Sequence, residues 1–71
     1  MYIIKSQTGN KISNYLVANQ KRSIESMFNS LMKTLANNPL YYVQPIRQGY
    51  SKVTYLSDYG EIETEYWIVK A

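Results

Sequence analysis

Residues 21–39, KRSIESMFNSLMKTLANNP, decide the fold. Ile24, Met27, Phe28, Leu31, Met32 and Leu35 recur at the three- and four-residue spacing of a helix, forming one apolar stripe. Glu25, Ser26, Asn29, Ser30, Lys33 and Thr34 fall on the opposite side. The pattern predicts an amphipathic helix over about residues 20–37. Ser23 or Asn19 is expected to cap its start by accepting a bond from a free backbone N–H. Its end is set by Asn37-Asn38-Pro39, because asparagine tolerates the left-handed conformation and proline cannot continue a helix. A Met/Phe/Leu stripe of this kind packs on a core, and the flanking segments must supply that core.

Both flanks read as strands. MYIIK (1–5) and KISNYLVA (11–18) are rich in β-branched and aromatic side chains and are separated by a turn ending in Gly9-Asn10, the mark of a β-hairpin. LYYVQPIR (40–47) contains Pro45, which has no N–H for a ladder and predicts an edge position or a bulge. Gln48-Gly49 breaks that strand. YSKVTYLS (50–57) and EIETEYWIVK (61–70) flank Ser57-Asp-Tyr-Gly60, which suits a type I turn closed by a left-handed glycine. The order β-β-α-β-β-β predicts a single α+β domain: a four- to five-stranded antiparallel sheet with one helix on one face. One helix covers one face, so the other is left open.

The last turn also suggests a register. Pairing Leu56 with Ile62 sets Thr54 against Thr64, Lys52 against Tyr66 and Tyr50 against Ile68 on one face. Val53, Tyr55, Glu61, Glu63, Glu65, Trp67 and Val69 then share the other. Three glutamates are not buried unpaired, so the first face is expected under the helix, with Lys52 at its rim. By the same reading Tyr2, Tyr15, Tyr42, Tyr50 and Tyr66 pack, while Tyr41, Tyr55, Tyr59 and Trp67 look outward.

Composition narrows the chemistry. Seventy-one residues make one small domain with a small core. The chain has neither cysteine nor histidine, so disulfides, a structural zinc, and Ser-His or Cys-His nucleophile pairs all lack their parts. Neither nucleotide-binding glycine fingerprint occurs. The acidic run Asp58, Glu61, Glu63, Glu65 lacks the spacing of a calcium loop and reads as a solvated strand face. No enzyme, cofactor or metal is expected. The opening MYIIK holds too few apolar residues for an export signal or a membrane span, so the expected location is cytoplasmic. A small accessory protein of a virus or other mobile element suits a chain of this type, although no residue carries that expectation.

The net charge of +3 is divided: residues 1–57 hold seven Lys/Arg against Glu25, and residues 58–71 hold four acids against Lys70. Lys21 and Arg22 at the helix start oppose its dipole. Eight tyrosines and one tryptophan exceed what so small a core can take, so the surplus rings mark a binding face. Two functions follow. In the first, a nucleic-acid-binding module holds DNA or RNA through Lys11, Lys21, Arg22, Arg47 and Lys52, with Tyr41 and Trp67 stacking on bases. In the second, a protein-interaction module, either a homodimer or a small inhibitor of a larger protein, uses Tyr55, Tyr59, Glu61, Glu63 and Glu65.

Overall fold

The computed structural model describes residues 1–71. Five strands and one helix follow the order β1 (Tyr2–Thr8), β2 (Lys11–Ala18), α1 (Lys21–Ala36), β3 (Tyr41–Arg47), β4 (Tyr50–Ser57) and β5 (Gly60–Lys70). All five strands join one antiparallel sheet in the order β2-β1-β5-β4-β3. The α+β reading with one helix on one face therefore holds, and the sheet has five strands.

Three two-residue turns build the hairpins. Gly9 (φ 59) and Gly49 (φ 77) take left-handed backbone that a side chain would strain. At the third, Ser57 pairs with Gly60, and the Ser57 hydroxyl donates to the Gly60 carbonyl at 2.6 Å. This connection is tighter by one residue than the turn expected from the sequence. Leu56 consequently pairs with Glu61, Thr54 with Glu63, Lys52 with Glu65 and Tyr50 with Trp67. A one-residue slip turns every side chain of a strand to the other face. The structure so corrects the expected register of β4. Ser51 and Val53 are buried, whereas Tyr50, Lys52, Thr54 and Leu56 face away from the helix. The physical reason is Lys52: the slip takes its ammonium off the covered face and puts Val53 there instead.

The helix matches its predicted span within a residue at each end, but both caps differ from expectation. Gln20 is the N-cap residue with extended backbone and no side-chain cap bond, so neither Ser23 nor Asn19 caps. Asn37 is right-handed (φ −77). The helix stops because Asn38 N–H bonds back to Leu35, its own Oδ1 accepts from Leu40 N–H at 2.9 Å, and Pro39 follows.

The helix connects the two edge strands, leaving the end of β2 and delivering the chain to β3. Ile24 and Phe28 bury against Ile4, with Tyr2, Leu16, Met27, Met32, Tyr66 and Ile68 half-buried around them. Five of 71 residues are buried, so the core is thin. The accessible surface of 5176 Å² exceeds the ~4,600 Å² expected of a compact 8.3 kDa protein, because half of the sheet has no cover. The molecule is a slab of 38 × 26 × 17 Å.

Candidate binding face on the open side of the sheet

Strand alternation and register define what the open face presents. Asn14, Lys5, Trp67, Tyr50 and Arg47 lie in one row across all five strands. The next row holds Ile12, Gln7, Glu65, Lys52 and Gln44, and beyond it Glu63, Thr54 and Tyr42 stand side by side. Ile3, Val17 and Val69 form an apolar corner at the opposite end. Because β5 is the central strand, Glu61, Glu63 and Glu65 run down the middle of this face.

The charges are tied to the rings. Arg47 Cζ sits 5.0 Å from the centre of the Tyr50 ring, a cation–π contact. Hydrogen bonding to the Glu65 carboxylate, with help from desolvation and from the charge of Glu65, pushes the Tyr50 hydroxyl pKa above its ordinary value. Lys52 Nζ reaches Glu63 at 3.0 Å, one step diagonally across β4 and β5. Glu63 is therefore compensated, whereas Glu61 and Glu65 have no cation partner within salt-bridge distance.

At the end of the sheet where the helix starts, the sheet is notched beyond Tyr50. Arg47, Gln48, Gly49, Tyr50, Glu65 and Trp67 line a depression of about 620 Å³, and Lys21, Glu25 and Lys70 complete its rim. Gln48 donates to Glu25 at 3.2 Å and so fastens the β3–β4 turn to the helix.

The residues expected to bind nucleic acid divide in three. Lys21, Arg47 and Trp67 share the depression. Lys52 is on the open face but paired with Glu63, Arg22 is exposed in the first helical turn, and Lys11 stands at the distant β1–β2 tip. Tyr41 faces the helix side: its ring lies 5.0 Å from that of Tyr55, tilted by 34°. The expectation that Tyr41 and Tyr55 look outward is therefore corrected, both having followed the slipped register of β4. Tyr59 is fully exposed at the β4–β5 tip, while Glu61, Glu63 and Glu65 lie on the open face as expected. In place of Tyr41 and Tyr55, the open face carries Tyr42 and Tyr50, for which the sequence pattern predicts packing. The cue lay in Lys52, which fits a buried row so poorly that the opposite register deserved preference.

No three of the Asp and Glu side chains gather into a group able to hold a metal ion, and no helix is long and apolar enough to cross a membrane. Comparison with protein-family models, with curated proteins and with solved structures finds no match to this chain.

Proposed function

We propose that this chain is a non-enzymatic binding module whose open sheet face docks on a protein partner. The observation that supports the reading is a five-stranded face without a cover, set with Trp67, Tyr50 and Tyr42 and with glutamates along its central strand. Tyrosine, tryptophan and arginine are the residues enriched where protein interfaces form. Glutamates in the middle of the face oppose the phosphate backbone of a nucleic acid. The partner that fits is a protein surface with apolar side chains and basic groups placed to meet Glu61 and Glu65.

A photoreactive side chain at Leu56, on this face, tests the reading against one at Ser26 on the exposed side of the helix. Protein adducts should form from Leu56 and not from Ser26, survive nuclease treatment, and disappear with Glu61→Lys plus Glu65→Lys. Equal adducts from both positions, or adducts removed by nuclease, refute it.

A second reading keeps the nucleic-acid partner but moves it to the notch. It rests on Lys21 and Arg47 lining one depression with Tyr50 and Trp67, which provides cations and stacking rings together. Trp67 is the only tryptophan, so its fluorescence reports oligonucleotide binding directly. On this reading, a single-stranded oligonucleotide at low salt quenches it, and Lys21→Glu with Arg47→Glu abolishes the quench.

A further inference from the structure

We infer that β2 is a pairing edge for a second copy of this chain, the two sheets joining antiparallel about a two-fold axis into one of ten strands. The inference concerns the edge of the sheet and stands apart from the reading of its face.

The two edges of the sheet are unequally defended. β3 carries Pro45, an irregularity between Pro45 and Arg47, and the Arg47 charge, all devices that stop another strand from adding on. β2 contains no proline, and between Ile12 and Ala18 it contains no charge. Ile12, Tyr15 and Val17 are 56%, 51% and 49% exposed along it. An apolar edge strand with free N–H and C=O groups is a template for another strand.

The bulge in β2 selects a second copy as occupant. Leu16 pairs with Ile4 and Asn14 with Lys5, leaving Tyr15 as an extra residue. Without it, residues five apart would lie on opposite faces of the sheet. With it, Ile12 and Val17 both reach the open face, beside Gln7 and Ile3, while Ser13 and Leu16 both reach the helix side, beside Ser6 and Ile4. A two-fold axis between Asn14 and Tyr15 then sets Ile12 opposite Val17 of the second copy and Ser13 opposite Leu16, each pair on a common face. Ile12 and Val17 so cover one another, while Tyr15, its ring edge-on to that of Tyr66 at 5.9 Å on the helix side, falls opposite Asn14 at the axis. The two Lys11 ammoniums end up at opposite ends of the pair, ~23 Å apart at ~3.3 Å per residue, beyond the range at which they repel in physiological salt. A single pair of eight-residue strands buries less than the ~800 Å² per partner of stable complexes, so the dimer dissociates on dilution.

Because the chain has no cysteine, the register can be read chemically. Chains carrying Ile12→Cys mixed with chains carrying Val17→Cys should oxidise to a cross-linked dimer in several-fold higher yield than either alone. In sedimentation at rising concentration the wild type should shift from monomer to dimer. Ile12→Lys with Val17→Lys should hold it monomeric, and Ile12→Lys with Val17→Glu should restore the dimer by setting opposite charges face to face. All these side chains are exposed, and circular dichroism checks that each variant folds. A wild type that stays monomeric at every concentration overturns the inference, leaving the edge to a peptide from another protein. Cross-linking of Ile12→Cys chains alone as efficient as in the mixture overturns the register.

Discussion

Lys52 Nζ and Glu63 Oε2 meet at 3.0 Å on the uncovered face, although Lys52 belongs to a strand segment whose neighbours Ser51 and Val53 are buried. The pair is more than a third exposed on average and contributes little to stability, about 0–1 kcal/mol. Its significance is directional. It marks which side of β4 faces water, and that choice places every other side chain on the strand.

Adjacent positions on β4 should therefore respond oppositely to exchange. Val53→Thr buries a hydroxyl without an arranged partner and should cost about 1–3 kcal/mol, while Thr54→Val on the open face should be close to neutral. Urea unfolding of both variants measures the contrast, and equal effects would restore the register expected from the sequence.

The thin core makes single truncations severe. Ile24→Ala removes a fully buried side chain from a three-residue cluster and should cost about 2–5 kcal/mol. A chain of 71 residues has a total stability of about 4–10 kcal/mol. Thermal melting should show that variant at least ~8 °C below the wild type, whereas Leu56→Ala, at the exposed end of β4, should melt near it.

Alkali should loosen the fold. Tyr66 is raised above its ordinary 10.0 first by burial, then by Tyr15 and Tyr41, and Tyr50 is raised first by its bond to Glu65. In both, the folded state holds the proton more tightly than the unfolded chain. Their contribution to stability is thus complete below pH 10 and declines as the pH rises above it. Tyrosinate absorbance followed against pH should show two late-ionising rings. Tyr66→Phe should remove one of them and flatten the loss of stability, and ionisation of all eight rings together would contradict the assignment.

The helix start is built against stability. Gln20 makes no cap bond, no acid occupies the first turn, and Lys21 and Arg22 oppose the dipole. Gln20→Asp should stabilise by about 0.5–2 kcal/mol. Lys21→Glu and Arg22→Glu should each add about 0.3–1 kcal/mol. If these variants stabilise while oligonucleotide quenching of Trp67 is lost, the cations serve the notch. If quenching is unchanged, they do not.

Glycine at the β3–β4 turn should tolerate less than glycine at the β1–β2 turn. Gly49 (φ +77) lies outside the left-handed range of about +50 to +70° open to other residues, and a side chain there would meet Ile68 Cδ1 at an ordinary contact distance of 3.4 Å, whereas Gly9 (φ +59) lies inside that range with nothing within 4 Å. Both alanine variants incur the left-handed penalty of about 1–2 kcal/mol. Gly49→Ala should melt lower, and it should also disturb the Gln48–Glu25 bond beside the notch.

Local signals carried most of the architecture into the sequence. The apolar stripe located the helix, Gly9 a hairpin and Gly49 the break between β3 and β4, and Pro45 pointed to an edge or a bulge, both of which β3 shows. What stayed hidden depended on one residue or on distance. The conformation of Gly60 chooses between two turns that differ by a single residue, and that choice exchanged Tyr41 and Tyr55 for Tyr42 and Tyr50 on the open face. The bulge at Tyr15 has no turn residue to announce it. The pairing of β1 with β5 joins Tyr2 to Lys70 without any local motif.

That last pairing governs when the protein acquires its shape. The middle strand of the layer comes after both hairpins in the chain, so the two halves are made with nothing between them, each with a greasy flank uncovered. Only once residues 60–70 have joined can the halves be zipped together, so the speed of folding is set by the slow closure of the long loop that brings Lys70 to Tyr2.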